Sequence, residues 1–393
     1  MKVDLLRNRI KKMIQSDFEY KVLVGTDLYS VAFSTNLAEQ ISWLREYLSP
    51  YYMICEDETE RVESSLFFTM DSSLIDLIRE AVLGSDVKFV GSYRGENIKE
   101  YKISNELKIQ KTSERESYII FNSERSWFVL IMHPSDAQLL QEPSRVIREI
   151  MVRKLEKNNE LMIHAGAVEK NGLGVMICGE KGSGKTTTVL GFIYYSDYNY
   201  ISNDRIMLAV ENNRLTKIKG VPFAAAIRLG TAFQYEKIQS LLKKGTLIPL
   251  KKETKKIQSH INAVKSLEEV EMWSIKEYIE LLPSEIACSL DSKVVPIAKL
   301  GVLIFPIISQ EYKEPIIRDV DYQYIKTVFL RECFTFKEDS YPDRFDIVNQ
   351  SKTDVQNRVL ELAQTISRTC ICLEIKYCNF EDIVPLLNDR LSI

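Results

Sequence analysis

The chain has 393 residues, which exceeds one typical domain and predicts two or three. A composition of 45% apolar and 27% charged residues is ordinary for a soluble globular protein, and a net charge of −3 gives no global field toward nucleic acid or anionic lipid. No apolar stretch is long enough to span a bilayer, and seven cysteines without a C-x-x-C pair favour reduced thiols. We therefore expect a cytoplasmic protein with neither a membrane nor a nucleic-acid partner.

Residues 1–143 predict an N-terminal α+β accessory domain. Short strand-like runs alternate with segments of helical spacing, and the last two runs, Tyr118–Phe121 and Trp127–Met132, are separated by five polar residues as in a β-hairpin. No catalytic constellation is present, so we expect a recognition or bracing role. A helix then begins at Pro143-Ser144, with Ser144 as its N-cap, and it opens the predicted catalytic domain, residues 144–393.

A predicted hairpin follows. Leu161–Lys170 and Leu173–Gly179 are strand-like and flank Asn171-Gly172, the preferred two-residue turn of type I′. This turn pairs residues whose numbers sum to 343, so that His164 faces Gly179, although a glycine two residues after the histidine permits a bulge that shifts the register. His164 is therefore either beside the loop that starts at Gly179 or a structurally satisfied core histidine.

The stretch from Gly179 to Thr186 matches the phosphate-binding loop pattern G-x-x-x-x-G-K-[ST]. A short apolar run precedes it and a helix can begin after it, which is the context that the motif requires; the alternative is a glycine-rich turn that binds nothing. Lys185 would reach the terminal phosphates of ATP or GTP, and the Thr186 hydroxyl would ligate Mg²⁺. The predicted nucleotide-binding residues are Gly179, Glu180, Lys181, Gly182, Ser183, Gly184, Lys185, Thr186 and Thr187.

An acidic residue follows the next predicted strand. Ser202-Asn203-Asp204 precedes the apolar run Ile206–Val210. Because a carboxylate at the end of a strand neighbouring the loop can face Mg²⁺ and the γ-phosphate, Asp204 is a candidate general base or outer metal ligand. An aspartate in a surface turn is the alternative.

These features together resemble the catalytic core of HPr kinase/phosphorylase, whose fold is related to that of ATP-dependent phosphoenolpyruvate carboxykinase. In that family a histidine stands 21 residues before the loop lysine, as His164 does before Lys185. One member of an Asp-Asp pair is the catalytic base there; Asp204 matches the second member, and Asn203 replaces the first. Over residues 161–230 the resemblance implies a kinase with Asp204, His164 and Lys185 as catalytic residues, and with Thr186 and Asp204 at the metal.

Two departures from the family pattern accompany this resemblance. The Glu-x-Arg-Gly carboxylate that helps to hold the metal is missing, since the nearest stretch is Lys217–Gly220, and the phosphorylase signature is absent. The reverse reaction is therefore not implied. The sequence is more similar to a diverged branch that is found with the biosynthesis of ribosomal peptide natural products. Arg228, in a segment that resembles this branch, is a candidate contact to a phosphate or acceptor group, with a surface arginine as the alternative.

The rest of the sequence predicts structural elements rather than catalytic residues. Six lysines within residues 243–256 predict a mobile basic insertion at about 240–290, or alternatively a dock for an acidic peptide; no aromatic residues interleave as in a nucleic-acid site. Pro296–Ile308 and Cys370–Cys378 predict strands, and Gln356–Arg368 predicts a helix. Cys372 and Cys378 of the last strand are about 20 Å apart at strand rise, too far for one metal site.

The sequence thus predicts an α/β protein with a PEP-carboxykinase/HPr-kinase-like P-loop domain. We expect ATP-dependent transfer of the γ-phosphoryl group to a serine or threonine hydroxyl of a peptide or small protein, such as a natural-product precursor. The family resemblance also suggests a homo-oligomer. Two alternatives remain: a kinase for a sugar or amino-acid hydroxyl, and a nucleotide-binding regulatory module with little turnover.

Overall fold

A computed structural model describes residues 2–56, 62–91, 97–104, 107–112, 116–122, 124, 126–136, 138–211, 215–244, 277–336, 341–348 and 350–391. Its eleven described helices and twenty described strands confirm the predicted mixed α/β class. The chain divides into two compact units, Met1–Asn158 with Lys337–Gln350 and Asn159–Phe336 with Ser351–Ile393. Within the described part, no helix is both long enough and apolar enough to cross a bilayer.

The first unit is built on a mixed sheet of nine described strands. The strands are β1 (Tyr20–Gly25), β2 (Ser30–Thr35), β3 (Met53–Cys55), β4 (Ser64–Thr69), β5 (Val87–Gly91), β6 (Asn97–Lys102), β7 (Lys108–Thr112), β8 (Ser117–Asn122) and β9 (Trp127–Met132). Their order is β3-β1-β2-β4-β9-β8-β7-β6-β5, with β4 parallel to both of its neighbours. The predicted hairpin is confirmed as β8 and β9, which pair Phe121 with Phe128. The helices are α1 (Lys2–Ile14), α2 (Ala38–Leu48), α3 (Ser72–Ala81) and α4 (Gln141–Lys157).

The helix predicted to begin at Ser144 starts three residues earlier, at Gln141. Ser144 is not its N-cap, because the Ser144 hydroxyl donates to the Gln141 carbonyl over 2.7 Å and accepts from the Trp43 indole over 3.2 Å. The helix also belongs to the first unit rather than to the second. The buried Arg153 side chain of this helix also holds a segment that is distant in sequence in the same unit. Its Nη2 donates to the carbonyls of Tyr341 and Pro342 over 3.0 Å each.

The second unit carries a sheet of nine further described strands. The strands of this unit are β10 (Leu161–Ile163), β11 (Ala165–Lys170), β12 (Leu173–Cys178), β13 (Asn199–Ser202), β14 (Ile206–Glu211), β15 (Leu215–Gly220), β16 (Ala225–Arg228), β17 (Tyr278–Leu281), β18 (Ile297–Ile308), β19 (Ile316–Asp319) and β20 (Ile371–Tyr377). The order is β10-β14-β15-β18-β12-β11-β13, with β20 beside β18 and β19 beside β20, while β16 and β17 pair separately. The helices are α5 (Lys185–Ser196), α6 (Leu229–Phe233), α7 (Glu236–Lys244), α8 (Pro283–Ser289), α9 (Tyr322–Glu332), α10 (Lys352–Thr369) and α11 (Phe380–Leu391).

Strand β12 is buried on both faces, which accounts for its continuous apolar sequence. Val175 and Ile177 enter one core cluster with residues of α5 and α11, whereas Met176 and Cys178 enter the opposite cluster with residues of α9 and α10. Strands β12, β18 and β20 run parallel. The segment that follows β12 therefore emerges at the carboxyl edge of parallel strands, a position that binds ligands in many α/β folds.

The predicted hairpin register is confirmed between β11 and β12, where Ala165 pairs with Cys178 and Lys170 pairs with Leu173. Positive φ angles of 53° and 82° at Asn171 and Gly172 suit the type I′ turn. The prediction of one continuous strand over residues 161–170 is nevertheless wrong, because the strand is interrupted at His164. Before the break, β10 pairs with β14 instead of with the hairpin partner.

The two other strands and the helix that the sequence predicts in this unit are present, as β18, β20 and α10. Cys370 and Cys378 fall just outside the ends of β20, and Cys372 is buried against α10. Among the described residues, no group of His, Cys, Asp or Glu side chains has the arrangement of a metal site. Most of the predicted basic insertion, residues 245–276, lies outside the described residues.

Helix α5 approaches α11 so closely that it needs a glycine at position 191. A Cβ atom on Gly191 would lie 2.3 Å from Cγ of Phe380. We expect Gly191→Ala to lower the free energy of unfolding by about 1–2 kcal/mol in urea denaturation, because overpacking outweighs the gain in helix propensity. In a Phe380→Ala background the same substitution should be neutral or stabilising. An equal loss in both backgrounds would contradict this packing explanation.

Candidate functional site

The predicted phosphate-binding loop joins β12 to α5, as the motif requires. Gly182 and Gly184 have φ angles of +89° and +104°, a region that favours glycine. A Cβ atom on Gly184 would lie 2.3 Å from the Ile308 side chain, so the loop packs directly on the end of β18. Helix α5 begins at Lys185 without a side-chain cap, which leaves its first amide groups directed at the loop. This geometry suits an anion at a helix N-terminus.

Lys185 is the buried cation of the loop. Its side chain is 7% exposed, and Nζ donates to the carbonyls of Gly179 and Glu180 over 2.7 and 2.9 Å. Burial lowers the pKa of Lys185. An ammonium group with so little access to water gains more from an approaching phosphate than an exposed one does, because the attraction acts at a lower effective dielectric.

The break at His164 is where the sheet meets the end of α9. Ile163 forms an isolated bridge with Cys333, and the backbone N–H of His164 donates to the carbonyl of Glu332 over 2.8 Å. The two side chains also meet, with Nδ1 of His164 2.9 Å from Oε2 of Glu332. Glu332 is 7% exposed and was not predicted as a site residue, since it lies 168 residues from His164 in sequence.

Asp204 lies on the other side of the imidazole. Its Oδ1 is 3.4 Å from Nε2 of His164, and its Oδ2 is 3.3 Å from Nε of Arg205. Arg205 is fully buried and stacks on the Phe223 ring at 4.1 Å, which fixes the cation that holds the second carboxylate oxygen. The structure therefore brings the predicted residues His164 and Asp204 together and adds Glu332 to form a carboxylate–imidazole–carboxylate series.

The charge state of the imidazole follows from these neighbours. Burial works to lower the pKa of His164, but its contacts with Asp204 and Glu332 outweigh burial and raise that pKa above the ordinary value. Burial works to raise the pKa of Glu332, and the contacts with His164 and Arg331 lower it instead. The two directions agree, because each describes the same attraction between an imidazolium and a carboxylate.

Thr186 has a hydrogen-bond neighbour, Asn203, that the sequence analysis did not assign to the site. Its hydroxyl accepts from Nδ2 of Asn203 over 3.2 Å, so Asn203 and not Asp204 is in hydrogen-bond contact with it. Asn203 is 6% exposed, and its Oδ1 has no hydrogen-bond partner within the described part of the chain. A buried carbonyl oxygen beside a threonine hydroxyl suits a hydrated divalent cation, which favours oxygen ligands. The residues present therefore fit Mg²⁺: Thr186 would supply a ligand, and the Asn203 carbonyl oxygen would accept from a water on the cation.

The remaining predicted site residues are the other loop residues, Thr187 in the first turn of α5, and Arg228. Glu180, Lys181 and Gly182 are exposed, Ser183 is partly buried, and the Ser183 carbonyl accepts from the backbone N–H of Ile308. Thr187 accepts at its carbonyl from the Tyr235 hydroxyl over 3.1 Å. Arg228 is exposed and immediately precedes α6. Because Thr231 of α6 approaches Thr187 within 3.5 Å, the α6 segment borders the loop.

Arg331 is a second site residue that was not predicted. It precedes Glu332 at the end of α9, its Nε lies 3.0 Å from Oε1 of Glu332, and its Nη1 contacts the Glu180 carboxylate in the loop. In sequence it is one half of an Arg-Glu pair, a pattern that is common on protein surfaces. Together these contacts surround the loop mouth with cations and with paired carboxylates, an arrangement suited to an anionic substrate and a proton acceptor.

Replacing Glu332 tests the imidazole contact directly. We expect Glu332→Gln to lower the pKa of His164 in an NMR titration, because the neutral amide no longer favours the imidazolium. A histidine with a raised pKa in the folded state adds to the free energy of unfolding. This contribution is fully present below the ordinary histidine pKa of about 6.5, and it is lost as the pH rises through the pKa of the folded state. The stability difference between wild type and Glu332→Gln should therefore shrink with rising pH. Glu361→Gln, at an exposed position of α10, is the control, and an unchanged His164 pKa in Glu332→Gln would contradict the contact.

Comparisons with known proteins were made at the level of families, curated sequences and solved structures. No protein-family model matches the chain, and no curated protein matches it at a significant level. The chain is similar to the HPr(Ser) kinase/phosphatase from Coxiella burnetii, at 15% sequence identity over 59% of this chain and 97% of that chain, with a TM-score of 0.26.

Proposed function

We propose that this protein is an ATP-dependent phosphotransferase that transfers the γ-phosphoryl group to a hydroxyl. The observation that carries the proposal is the position of His164 and Asp204 beside a phosphate-binding loop whose lysine is buried. Phosphoryl transfer requires mainly positioning and electrostatic stabilisation, together with a group that accepts the hydroxyl proton. The loop, Lys185 and Asp204 supply these three requirements.

In the proposed reaction, the loop amides and Lys185 hold the terminal phosphates of ATP. The oxygen of the acceptor hydroxyl forms a bond to the γ-phosphorus, the bond from that phosphorus to the β,γ-bridging oxygen breaks, and ADP leaves. Asp204 accepts the hydroxyl proton. His164 orients Asp204, and Glu332 fixes the imidazole by accepting from Nδ1. A cation bound at Thr186 would supply charge neutralisation at the β- and γ-phosphates.

The acceptor and the domain roles follow from the resemblance of residues 161–230 to HPr-kinase-like proteins. On that basis we propose a PEP-carboxykinase-like catalytic domain, and a serine or threonine of a peptide or small protein as the acceptor. The first unit would then serve in recognition or bracing. A metabolite kinase remains the alternative acceptor class, and incubation of the enzyme with sugar and amino-acid acceptors distinguishes it.

Two substitutions test the division of roles. We expect Lys185→Ala and Asp204→Asn each to abolish transfer, since the first removes the phosphate cation and the second removes the proton acceptor. The measurement is thiophosphate labelling of a lysate of the native host with γ-thio-ATP. Nucleotide binding should survive in Asp204→Asn, and transfer at the wild-type rate in that variant, beside an inactive Lys185→Ala, would refute Asp204 as the base.

Asn203 offers a gain-of-function test of the cation site. Asn203→Asp places a carboxylate beside Thr186, and we expect it to tighten Mn²⁺ binding by about tenfold or more, because an anionic group replaces a neutral one. Electron paramagnetic resonance of Mn²⁺ in the presence of ADP measures this directly. Asn199→Asp, on β13 of the same sheet, is the matched control. Equal Mn²⁺ affinity in wild type and Asn203→Asp would place the cation elsewhere.

A further inference from the structure

Arg331 connects the end of α9 to the phosphate-binding loop. One side of its guanidinium, Nε, contacts Glu332, and the other side, Nη1, contacts Glu180 in the loop. Helix α9 ends at the following residue, and the Glu332 carbonyl is fixed by the backbone of His164. The arginine is thus carried by a rigid element and directed at the loop mouth from the face of the sheet opposite α5.

The two carboxylates that hold Arg331 differ in burial. The Glu332 side chain is 8% exposed, whereas the Glu180 side chain is 65% exposed. An exposed ion pair contributes little to stability, because water competes for both charges. We therefore expect the contact between Nε and Glu332 to persist, and the contact between Nη1 and Glu180 to exchange readily. Arg331 itself is 41% exposed, so an incoming anion can reach its Nη atoms.

We propose that Arg331 is a catalytic residue that exchanges Glu180 for the transferring phosphoryl group when nucleotide binds. The inference rests on the proposed phosphotransferase function and adds a second cation to the terminal phosphate. Anchored through Nε, the guanidinium presents its Nη atoms as a planar pair of donors, which suits the two oxygens of a phosphoryl group. Such a donor has its largest effect on the negative charge that develops on those oxygens during transfer.

Arg331 and Lys185 both contact the same loop residue, Glu180. The Nη1 atom of Arg331 contacts the Glu180 carboxylate, and Nζ of Lys185 donates to the Glu180 backbone carbonyl over 2.9 Å. Two cations that repel each other across a loop mouth have a common attraction to an anion placed between them. Glu180, at the second position of the loop, neutralises the exposed side of Arg331 until that anion arrives.

The test measures the affinity of the full chain for Mg·ADP and for Mg·ADP with aluminium fluoride, an analogue of the transferring phosphoryl group. We expect Arg331→Ala to bind Mg·ADP within about twofold of wild type, and to bind the aluminium fluoride complex about 100-fold more weakly. Arg331→Lys should lose most of that affinity as well, because an ammonium lacks the planar pair of donors. Glu180→Gln should bind Mg·ATP a few-fold more tightly, since the arginine no longer has a competing partner.

Arg318 provides the matched control, because it is also an exposed arginine held by a buried glutamate, Glu374. Arg318→Ala should bind the aluminium fluoride complex as wild type does. Wild-type affinity for that complex in Arg331→Ala, or an equal loss for Mg·ADP alone, would overturn the proposal and leave Arg331 as a brace of the loop. Absence of any nucleotide binding by the wild-type protein would instead refute the proposed function itself.

Discussion

The site depends on the requirement that buried charges have partners. His164, Glu332 and Lys185 are all largely shielded from water, and an unpaired ion in such a position costs several kcal/mol. Each charge is matched locally: Lys185 by two loop carbonyls, and Glu332 by the imidazole and by Arg331. Because these contacts link β10, the loop and α9, the same pairs that neutralise the charges also fix the positions of the three elements.

This pairing has a consequence for the chemistry at Asp204. One of its oxygens faces the His164 imidazole, and the other faces the guanidinium of Arg205. The two contacts hold the carboxylate in one orientation. Phosphoryl transfer depends mainly on such positioning, because its loose transition state demands little proton removal before the new bond forms. The arrangement therefore suits phosphoryl transfer.

Features encoded by local chemistry were predictable from the sequence. Asn171-Gly172 predicted the hairpin register, because both residues accept positive φ. The glycine pattern of the loop predicted the order strand, loop, helix. The break at His164 was not predictable, because it arises where Cys333 pairs with Ile163 across the sequence. Glu332 and Arg331 were missed for the same reason: a charged pair at a helix end has an ordinary sequence pattern until tertiary contacts join it to distant residues, here His164 and Glu180.

The carboxylates also bear on whether the protein transfers phosphate or only binds nucleotide. A binding module needs the loop amides and Lys185, and negative charge near the terminal phosphate opposes binding. Asp204 and Glu332 would therefore oppose such binding, and their contacts with the His164 imidazole between them are what raise the pKa of that histidine. Groups that cost ground-state binding are useful only where they act in the transition state. That asymmetry favours turnover over a silent nucleotide switch.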